Sequence, residues 1–171
     1  QLLAGKRVSA GPQHIGAIND RKVKGNTMSM PPESDLITAA RAVRDNAYAP
    51  YSGFNVGAAV LMENGNVIIG NNQENASYPS GLCAERVAVF QAGAQFPGMP
   101  IKAIAVTAAS KNYTVKKPAA PCGNCRQAIA EYEHRQHSPI RLLLMGEEGR
   151  IFICSSLADI LPLAFDCSYL K

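Results

Sequence analysis

The chain has 171 residues, of which 47% are apolar, 18% charged and 6% aromatic. This composition is typical of a globular protein about one domain long, and it excludes a fibrous or disordered chain. No apolar run approaches the roughly 20 residues that a membrane-spanning helix needs, and the opening QLLAGKRVSAGP has no hydrophobic segment long enough for a secretory signal. We therefore expect a cytoplasmic protein with no membrane partner.

The formal charge of +4 is confined to the first thirty residues. Residues 1–30 hold five basic side chains and one acidic side chain, whereas residues 31–171 hold 12 of each, a sum of zero. A nucleic-acid-binding protein needs a basic face that neutralises phosphates. The neutral body therefore predicts a small, uncharged substrate and no nucleic-acid partner.

Residues 1–30 are polar and glycine-rich and show no apolar periodicity. We interpret them as a basic N-terminal extension, which is either a leader added for expression or a natural arm. Met28 and Met30 stand just before the first patterned segment, and either is a plausible natural start. The remainder, 31–171, is predicted to form one domain.

From Ser34 onwards, apolar residues recur with helical spacing, and Asn64-Gly65 between two β-prone runs is a strong hairpin signal. The predicted elements are, in chain order, a helix over 34–46, strands over 56–62 and 67–70, a helix over 83–94, a strand over 101–107, a helix over 123–132, strands over 140–145 and 151–154, and a short helix over 156–161. This order predicts an α/β fold in which helices pack on a mixed five-stranded sheet.

Three of the five cysteines have the spacing of metal ligands. Cys122 and Cys125 lie three residues apart at the predicted start of a helix, so both can bind one ion. Cys83, at the opening of the preceding helix, presents a third thiol, and helix N-termini favour the thiolate that zinc requires. Three protein ligands and a water are typical of catalytic zinc, whereas structural zinc takes four protein ligands.

Cys154 and Cys167 belong to no paired motif. We interpret Cys154, in an apolar strand, as a small core residue and Cys167, near the C-terminus, as an incidental free thiol. The alternative is that one of them closes a four-thiolate structural site in an interaction module. That alternative leaves no open metal position and no role for the acidic residue beside the thiols.

Glu85 is that acidic residue, two positions after Cys83. In the first turn of a helix, where side chains lean towards the N-terminus, it can approach the open metal position without becoming a ligand. A general base for bound water belongs there. The alternative is a glutamate that only complements the helix dipole.

The segments CAER at 83–86 and PCGNCRQ at 121–127 resemble cytidine deaminases of the small, all-cysteine zinc type. Similar blocks are AYAPYSGFNVGAAV at 47–60, GNNQENASYPSGLCAER at 70–86 and ILPLAFD at 160–166, so the resemblance covers nearly everything after residue 34. It implies a three-layer fold with helices on both faces of the sheet, one zinc per chain, and a homotetramer with shared active sites. It also implies hydrolytic deamination of cytidine and deoxycytidine in pyrimidine salvage, by zinc-bound hydroxide with Glu85 as proton shuttle.

The resemblance also implies binding roles for the nucleoside. Asn72 and Glu74 match ribose-hydroxyl ligands, and residues two apart on an extended segment do point the same way. Phe54 matches an aromatic residue that packs on the pyrimidine, and Phe165 matches one that a neighbouring subunit offers. The backbone N–H of Ala84 is expected to hold the pyrimidine O2.

Four further positions receive roles from the resemblance. Tyr51 and Tyr78 align with tyrosines near the nucleoside or the subunit contacts. Arg86 matches an arginine that hydrogen-bonds the zinc thiolates, which would offset the excess negative charge of three thiolates. Arg126 receives no role from the resemblance; because it follows Cys125, it either shares that task or is a solvated surface residue. Ala120 stands where the family often has serine, in a position whose backbone carbonyl is expected near the departing amino group.

A second enzymatic interpretation remains open at this point. A deaminase of another small aminated heterocycle or aminonucleoside would keep the CxE and PCxxC patterns without needing Asn72 and Glu74. The behaviour of free cytosine as a substrate separates the two interpretations.

Overall fold

A computed structural model of the protein describes residues 33–170, so the predicted N-terminal extension lies outside the described residues. The helices are α1 (Glu33–Arg44), α2 (Ala84–Gln95) and α3 (Gly123–Gln136). The strands are β1 (Phe54–Met62), β2 (Val67–Asn71), β3 (Ile101–Ser110), β4 (Arg141–Met145) and β5 (Phe152–Cys154). No helix in this part of the chain is long and apolar enough to cross a membrane.

The strands form one mixed sheet in the order β2-β1-β3-β4-β5. β3 and β4 are parallel, and every other neighbouring pair is antiparallel. The predicted hairpin joins β1 to β2, and Gly65 takes the left-handed conformation (φ 85°) that favours glycine in such a turn. The predicted five-stranded mixed sheet is confirmed.

Helices cover both faces of this sheet. Because successive strand residues point to opposite faces, Ala58 and Val60 of β1 pack in the core formed with α2 and α3, while Ala59 and Leu61 pack in the core formed with α1. The strands β3 and β4 divide their side chains in the same way. The three-layer arrangement is confirmed, and it places the N-termini of α2 and α3 on one side of the sheet.

The helices approach the sheet so closely that two strand positions require glycine. A Cβ added at Gly57 would lie 2.0 Å from the backbone oxygen of Ala40 in α1, and one added at Gly70 would lie 2.6 Å from the backbone nitrogen of Ala88 in α2. Both obstacles are backbone atoms, which no rotamer change can move. The helix-to-sheet distance therefore depends on both glycines.

Replacing Gly57 with alanine is expected to lower the free energy of unfolding by about 1–3 kcal/mol, the usual cost of overpacking a close-packed core. The urea midpoint measures this loss. Gly123→Ala is the matched control, because an added Cβ meets nothing within 4 Å there. Equal midpoints for the two variants would contradict the close α1 contact.

Several helices end at residues other than those predicted from the sequence. α3 continues to Gln136 rather than 132 and ends where His137 takes the left-handed conformation. The predicted helix over 156–161 is only a 3₁₀ turn, Leu157–Asp159: a capping box between Ser156 and Asp159 begins it, but the backbone leaves helical geometry at Ile160 (φ −125°, ψ −2°), two residues before Pro162. Two further 3₁₀ turns, Tyr78–Ser80 and Cys167–Leu170, had no predicted counterpart.

Candidate active site

Three cysteine thiols meet where α2 and α3 begin. Cys83 is the N-cap of α2 and Cys122 the N-cap of α3, and both have extended backbone conformations. Cys125 lies in the first turn of α3 and is fully buried. The Sγ atoms of Cys83 and Cys122 are 3.7 Å apart, and those of Cys122 and Cys125 are 3.5 Å apart. The predicted convergence of these thiols is therefore present.

This donor set fits zinc. Zn–S bonds of about 2.3 Å in a tetrahedron place sulfur atoms about 3.8 Å apart, close to both observed separations. All three sulfur atoms lie within 4.8 Å of one another, and within residues 33–170 this is the only such group of potential metal ligands. Three soft sulfur ligands occupy three corners of the tetrahedron and leave one corner open.

The other two cysteines lie elsewhere. Cys154 is 1% exposed and packs in the core between the sheet and α3, where burial raises the pKa of its thiol. Cys167 is exposed, and its Sγ lies 3.4 Å from Nε2 of His134. Neither belongs to the thiol cluster, so the geometry does not supply the fourth thiolate that a structural zinc site needs.

Contacts within the cluster shift the pKa values of Cys83 and Cys125 in opposite directions. Hydrogen bonding from Cys125 is the main cause that lowers the pKa of Cys83 to about 5, with Cys122 and Arg86 contributing. The pKa of Cys125 is raised, because its proton is engaged with Cys83 and its side chain is buried. Arg86 lies close enough to Cys83 and Cys125 to interact with both thiols, although its Nε atom is buried without a hydrogen-bond partner among the described residues.

Arg126 takes neither of the roles considered for it. Its Nε donates to the backbone oxygen of Pro121 at 2.8 Å, and its Nη1 donates to that of Ile160 at 3.0 Å. The side chain therefore ties the turn before Cys122 to the C-terminal segment. It is neither a solvated surface residue nor a partner of the thiolates.

Glu85 is the second residue of α2 and is only 4% exposed. Its Oε2 atom is buried and finds no hydrogen-bond partner within the described part of the chain. Burial is the main cause that raises the pKa of Glu85 to about 6, and the charge of Cys83 adds to it. A buried carboxyl group that titrates near neutrality and keeps an unused oxygen is suited to proton transfer.

Glu85 lines a cavity of about 680 Å³ together with most of the other predicted residues. Cys83, Cys122 and Arg86 belong to its wall. The remaining predicted residues in the wall are Tyr51, Phe54, Asn72, Glu74, Tyr78 and Ala120. The cavity therefore brings the thiol cluster, the buried carboxyl and the polar segment after β2 into one space large enough for a small molecule.

Backbone pairing on both sides holds the segment after β2. Gln73 forms isolated bridges with Tyr48 on one side and Leu82 on the other. Its side chain turns back to Oδ1 of Asn71, while the side chains of Asn72 and Glu74 are held from the β1 side. This agrees with the alternation expected of an extended segment.

The amide of Asn72 and the carboxylate of Glu74 are both anchored. Oδ1 of Asn72 accepts from the Val56 N–H at 2.7 Å, and its Nδ2 donates to the Phe54 oxygen at 2.9 Å. Oε2 of Glu74 accepts from the N–H groups of Tyr51 at 2.9 Å and Ser52 at 3.2 Å. The Ser52 hydroxyl donates to Oε1 and is the main cause that lowers the pKa of Glu74.

Aromatic side chains form another part of the wall. Tyr51 and Tyr78 have ring centroids 5.9 Å apart, with the rings tilted by 57°. Phe165 lies outside this cavity and lines a second one of about 580 Å³, where its ring stacks on Tyr169 at 5.3 Å. Ala84 is fully buried. Because it is the first residue of α2, its N–H has no acceptor within the helix.

Sequence reasoning missed several residues of the wall. Ser52 lies in the turn between two predicted residues, Tyr51 and Phe54, and its contact with Glu74 spans 22 positions that no local pattern reveals. Val106 comes from β3, and burial alternation alone does not separate a core valine from one in a cavity wall. Val56 and Asn124 lie in the wall as well.

Three thiols and a buried glutamate, brought together where two helices begin on a mixed sheet, indicate a zinc-dependent hydrolase. The family model described as the cytidine and deoxycytidylate deaminase zinc-binding region matches residues 30–138. The chain belongs to this family, which confirms the resemblance seen in the sequence, and zinc is its cofactor.

Relatives and solved structures agree with this membership. The chain is 39% identical over 138 residues to a cytidine deaminase of Sporosarcina psychrophila, covering 78% of this chain and 93% of that one. It is 50% identical over 96 residues to one of Halalkalibacterium halodurans, covering 56% and 68%. The crystal structure of cytidine deaminase from Burkholderia pseudomallei superimposes with a TM-score of 0.69 at 41% identity, over 79% of this chain and 100% of that one. That from Mycobacterium tuberculosis gives 0.60 at 32% identity, over 78% and 97%.

Proposed function

We propose that the protein converts cytidine and deoxycytidine to uridine and deoxyuridine, with release of ammonia, and so serves pyrimidine salvage. The observation that carries this proposal is the buried Glu85 carboxyl, which shares one cavity wall with Cys83 and Cys122. A structural-zinc module has no use for a buried, unpartnered carboxylate oxygen. A hydrolase that moves protons beside a metal needs one.

The three thiols Cys83, Cys122 and Cys125 would hold one zinc ion per chain. When bound, zinc supplies Lewis-acid chemistry that makes hydroxide available near neutral pH. Three thiolates exceed the charge of one Zn²⁺ by one unit, which would weaken this effect. The guanidinium of Arg86, which lies beside Cys83 and Cys125, would offset the excess.

Glu85 moves the protons of the reaction. Its carboxylate takes a proton from water and delivers it to ring N3, as the hydroxide oxygen bonds to C4. Glu85 then takes the proton of the new hydroxyl group on C4 and delivers it to the amino nitrogen N4. The C4–N4 bond breaks, and ammonia leaves. Cytidine and water thereby become uridine and ammonia, and Glu85 returns to its starting state. General acid–base transfer of this kind contributes typically about 10² to 10⁴ in rate.

The remaining residues orient the nucleoside. Phe54 would pack on the pyrimidine, the Ala84 N–H would hold O2, and the carbonyl of Ala120 would lie near the departing amino group. Asn72 and Glu74 would bind sugar hydroxyls. These assignments are supported by the cavity wall for Phe54, Asn72, Glu74 and Ala120, and for Ala84 by the position of its N–H in the first turn of α2.

The charges of the wall favour a nucleoside over a nucleotide. Among the described residues that line the cavity, Arg86 is the only cationic side chain, and the thiols engage it. Glu74 is an ionised carboxylate whose pKa is lowered. A 5′-phosphate would therefore meet negative charge without a counter-charge, and like-charge juxtaposition is unfavourable.

A substrate comparison tests this function. We expect kcat/KM for cytidine and deoxycytidine to exceed that for deoxycytidine 5′-monophosphate by at least about 10²-fold. Free cytosine should be a poor substrate, because it lacks the sugar that Asn72 and Glu74 bind. Equal turnover of cytosine and cytidine would instead favour a deaminase of another aminated heterocycle.

Replacing Glu74 with alanine is expected to raise KM for cytidine by about tenfold, the size of one hydrogen bond to a charged group. kcat should fall as well, because sugar binding orients the base for attack. Steady-state kinetics measure both constants. Glu148→Ala, which removes an exposed carboxylate outside the cavity wall, is the control. Unchanged KM in Glu74→Ala would contradict the sugar-binding assignment.

We further propose that the protein is a cytoplasmic homotetramer in which Phe165 reaches a neighbouring active site. Five free thiols suit a reducing compartment. Phe165 lies outside its own chain's catalytic cavity and is 55% exposed, next to the 93% exposed Leu163. Light scattering of the zinc-loaded protein tests assembly. A monomer that is fully active would contradict the shared site.

A further inference from the structure

The turn of residues 49–53, which leads into β1, contacts the carboxylate of Glu74 through the side chain and the backbone of Ser52. Its hydroxyl lies against Oε1 of Glu74, and its backbone N–H donates to Oε2 of the same carboxylate at 3.2 Å. The Tyr51 N–H also donates to Oε2, at 2.9 Å. Two consecutive residues thus supply three donors to one carboxylate.

The direction of the hydroxyl bond follows from its partners. A serine hydroxyl has one proton to donate and two lone pairs to accept with. The Phe54 N–H donates to the Ser52 Oγ at 3.0 Å, so this contact uses a lone pair. An ionised carboxylate can only accept, so the Ser52 proton is directed at Glu74. The hydroxyl therefore links the Phe54 backbone at the start of β1 to the Glu74 carboxylate through two consecutive hydrogen bonds.

The local backbone keeps Ser52 in this position. Gly53 has φ 63°, a left-handed conformation that favours glycine. Its N–H donates to the Ala49 oxygen at 3.1 Å, and its oxygen accepts from the Lys111 N–H at 2.9 Å. The turn is thereby bonded on both sides, which fixes Ser52 between Tyr51 and Phe54.

The carboxylate is left with little freedom. Of the roughly four acceptor positions of a carboxylate, three are used by Tyr51 and Ser52, which leaves about one for a ligand. Without the Ser52 hydroxyl, Oε1 would lose the donor that fixes its orientation. The hydroxyl bond is also the main cause that keeps the pKa of Glu74 below its usual range.

We propose that Ser52 is a positioning residue for nucleoside binding, which holds the Glu74 carboxylate in the orientation that accepts a sugar hydroxyl. This proposal rests on the proposed function, because it assigns Glu74 to the sugar. Ser52 itself need not touch the nucleoside. Its effect passes through Glu74 and should disappear when Glu74 can no longer act.

A double-mutant cycle tests this coupling. Ser52→Ala is expected to raise KM for cytidine roughly fivefold, less than loss of the carboxylate, because the two backbone donors remain. The kcat value should change less than KM does. In a Glu74→Ala background, Ser52→Ala should change KM by less than about twofold, because the side chain through which Ser52 acts is then absent. Ser52→Thr, which keeps a hydroxyl, should restore KM.

Two further measurements separate positioning from general stability and from turnover. Ser80→Ala is the matched control, since Ser80 is exposed and lies outside the cavity wall. Thermal midpoints of the Ser52 variants should stay within about 2 °C of the wild type. Calorimetric titration with uridine should show the same fivefold weakening for Ser52→Ala, and this measurement needs no catalysis.

The outcomes distinguish the two claims. If the wild type binds uridine with the expected Ser52 effect but does not deaminate cytidine, the proposed function fails and the positioning role stands. If the wild type deaminates cytidine while Ser52→Ala leaves KM and uridine affinity unchanged, the positioning role is overturned. A Ser52 effect that persists undiminished in Glu74→Ala overturns it also, and so does a wild type that binds no uridine.

Discussion

Glu85→Gln is expected to reduce cytidine deamination by at least about 10², the contribution of one general acid–base group, and by more because the same carboxyl serves several transfers. Glutamine keeps the shape of the side chain but cannot titrate, so the fold, the zinc content and the assembly should be unchanged. Substrate binding should persist. Kinetics together with metal analysis of the purified variant measure these results.

The control for this variant is Glu131→Gln, which makes the same chemical change at an exposed position of α3. It should keep wild-type activity. Glu85→Gln activity within a few-fold of wild type would contradict the proton-transfer role. Loss of zinc together with activity would show instead that Glu85 is a ligand or a structural residue.

Alanine at any one of Cys83, Cys122 and Cys125 is expected to remove the zinc and, with it, essentially all activity. The wild type should hold one zinc per chain. Each thiol supplies one of only three protein ligands, so no remaining protein ligand in the cluster can replace it. Elemental analysis of the purified variants measures the metal content.

The matched control is the Cys154→Ala, Cys167→Ala double variant, which removes the two cysteines outside the cluster. It should retain one zinc per chain and its activity, although the buried position of Cys154 makes some loss of stability expected. Loss of the metal in this variant would contradict the interpretation as an open three-thiolate site and would support a four-thiolate structural site.

The main elements of the fold are predictable from local patterns. The Asn64-Gly65 turn between two β-prone runs indicated the β1–β2 hairpin, and α1 and α2 cover the sheet on opposite faces. The end of α3 and the 3₁₀ turn at Leu157–Asp159 were missed. Both are decided by the backbone conformation of one residue, His137 after α3 and Ile160 after the turn, which propensity and periodicity do not encode.

The thiol cluster was predictable because its ligands stand at helix starts with fixed spacing. The partners of Arg126 and Ser52 were not, since their contacts join segments 34 and 22 positions apart. Nor did the sequence show that the Asn72 amide is bonded to the β1 backbone, because that depends on how the segment after β2 pairs with its neighbours. Local chemistry indicated which residues matter, and tertiary pairing decides what each one contacts.

The most direct test of the account is to incubate the zinc-loaded protein with cytidine in heavy-oxygen (¹⁸O) water and to analyse the products. Hydrolytic deamination predicts uridine that carries one labelled oxygen, formed together with an equal amount of ammonia. A chelator should abolish the reaction, and added zinc should restore it. Unlabelled uridine, or no conversion of cytidine by protein that holds one zinc per chain, would contradict the account.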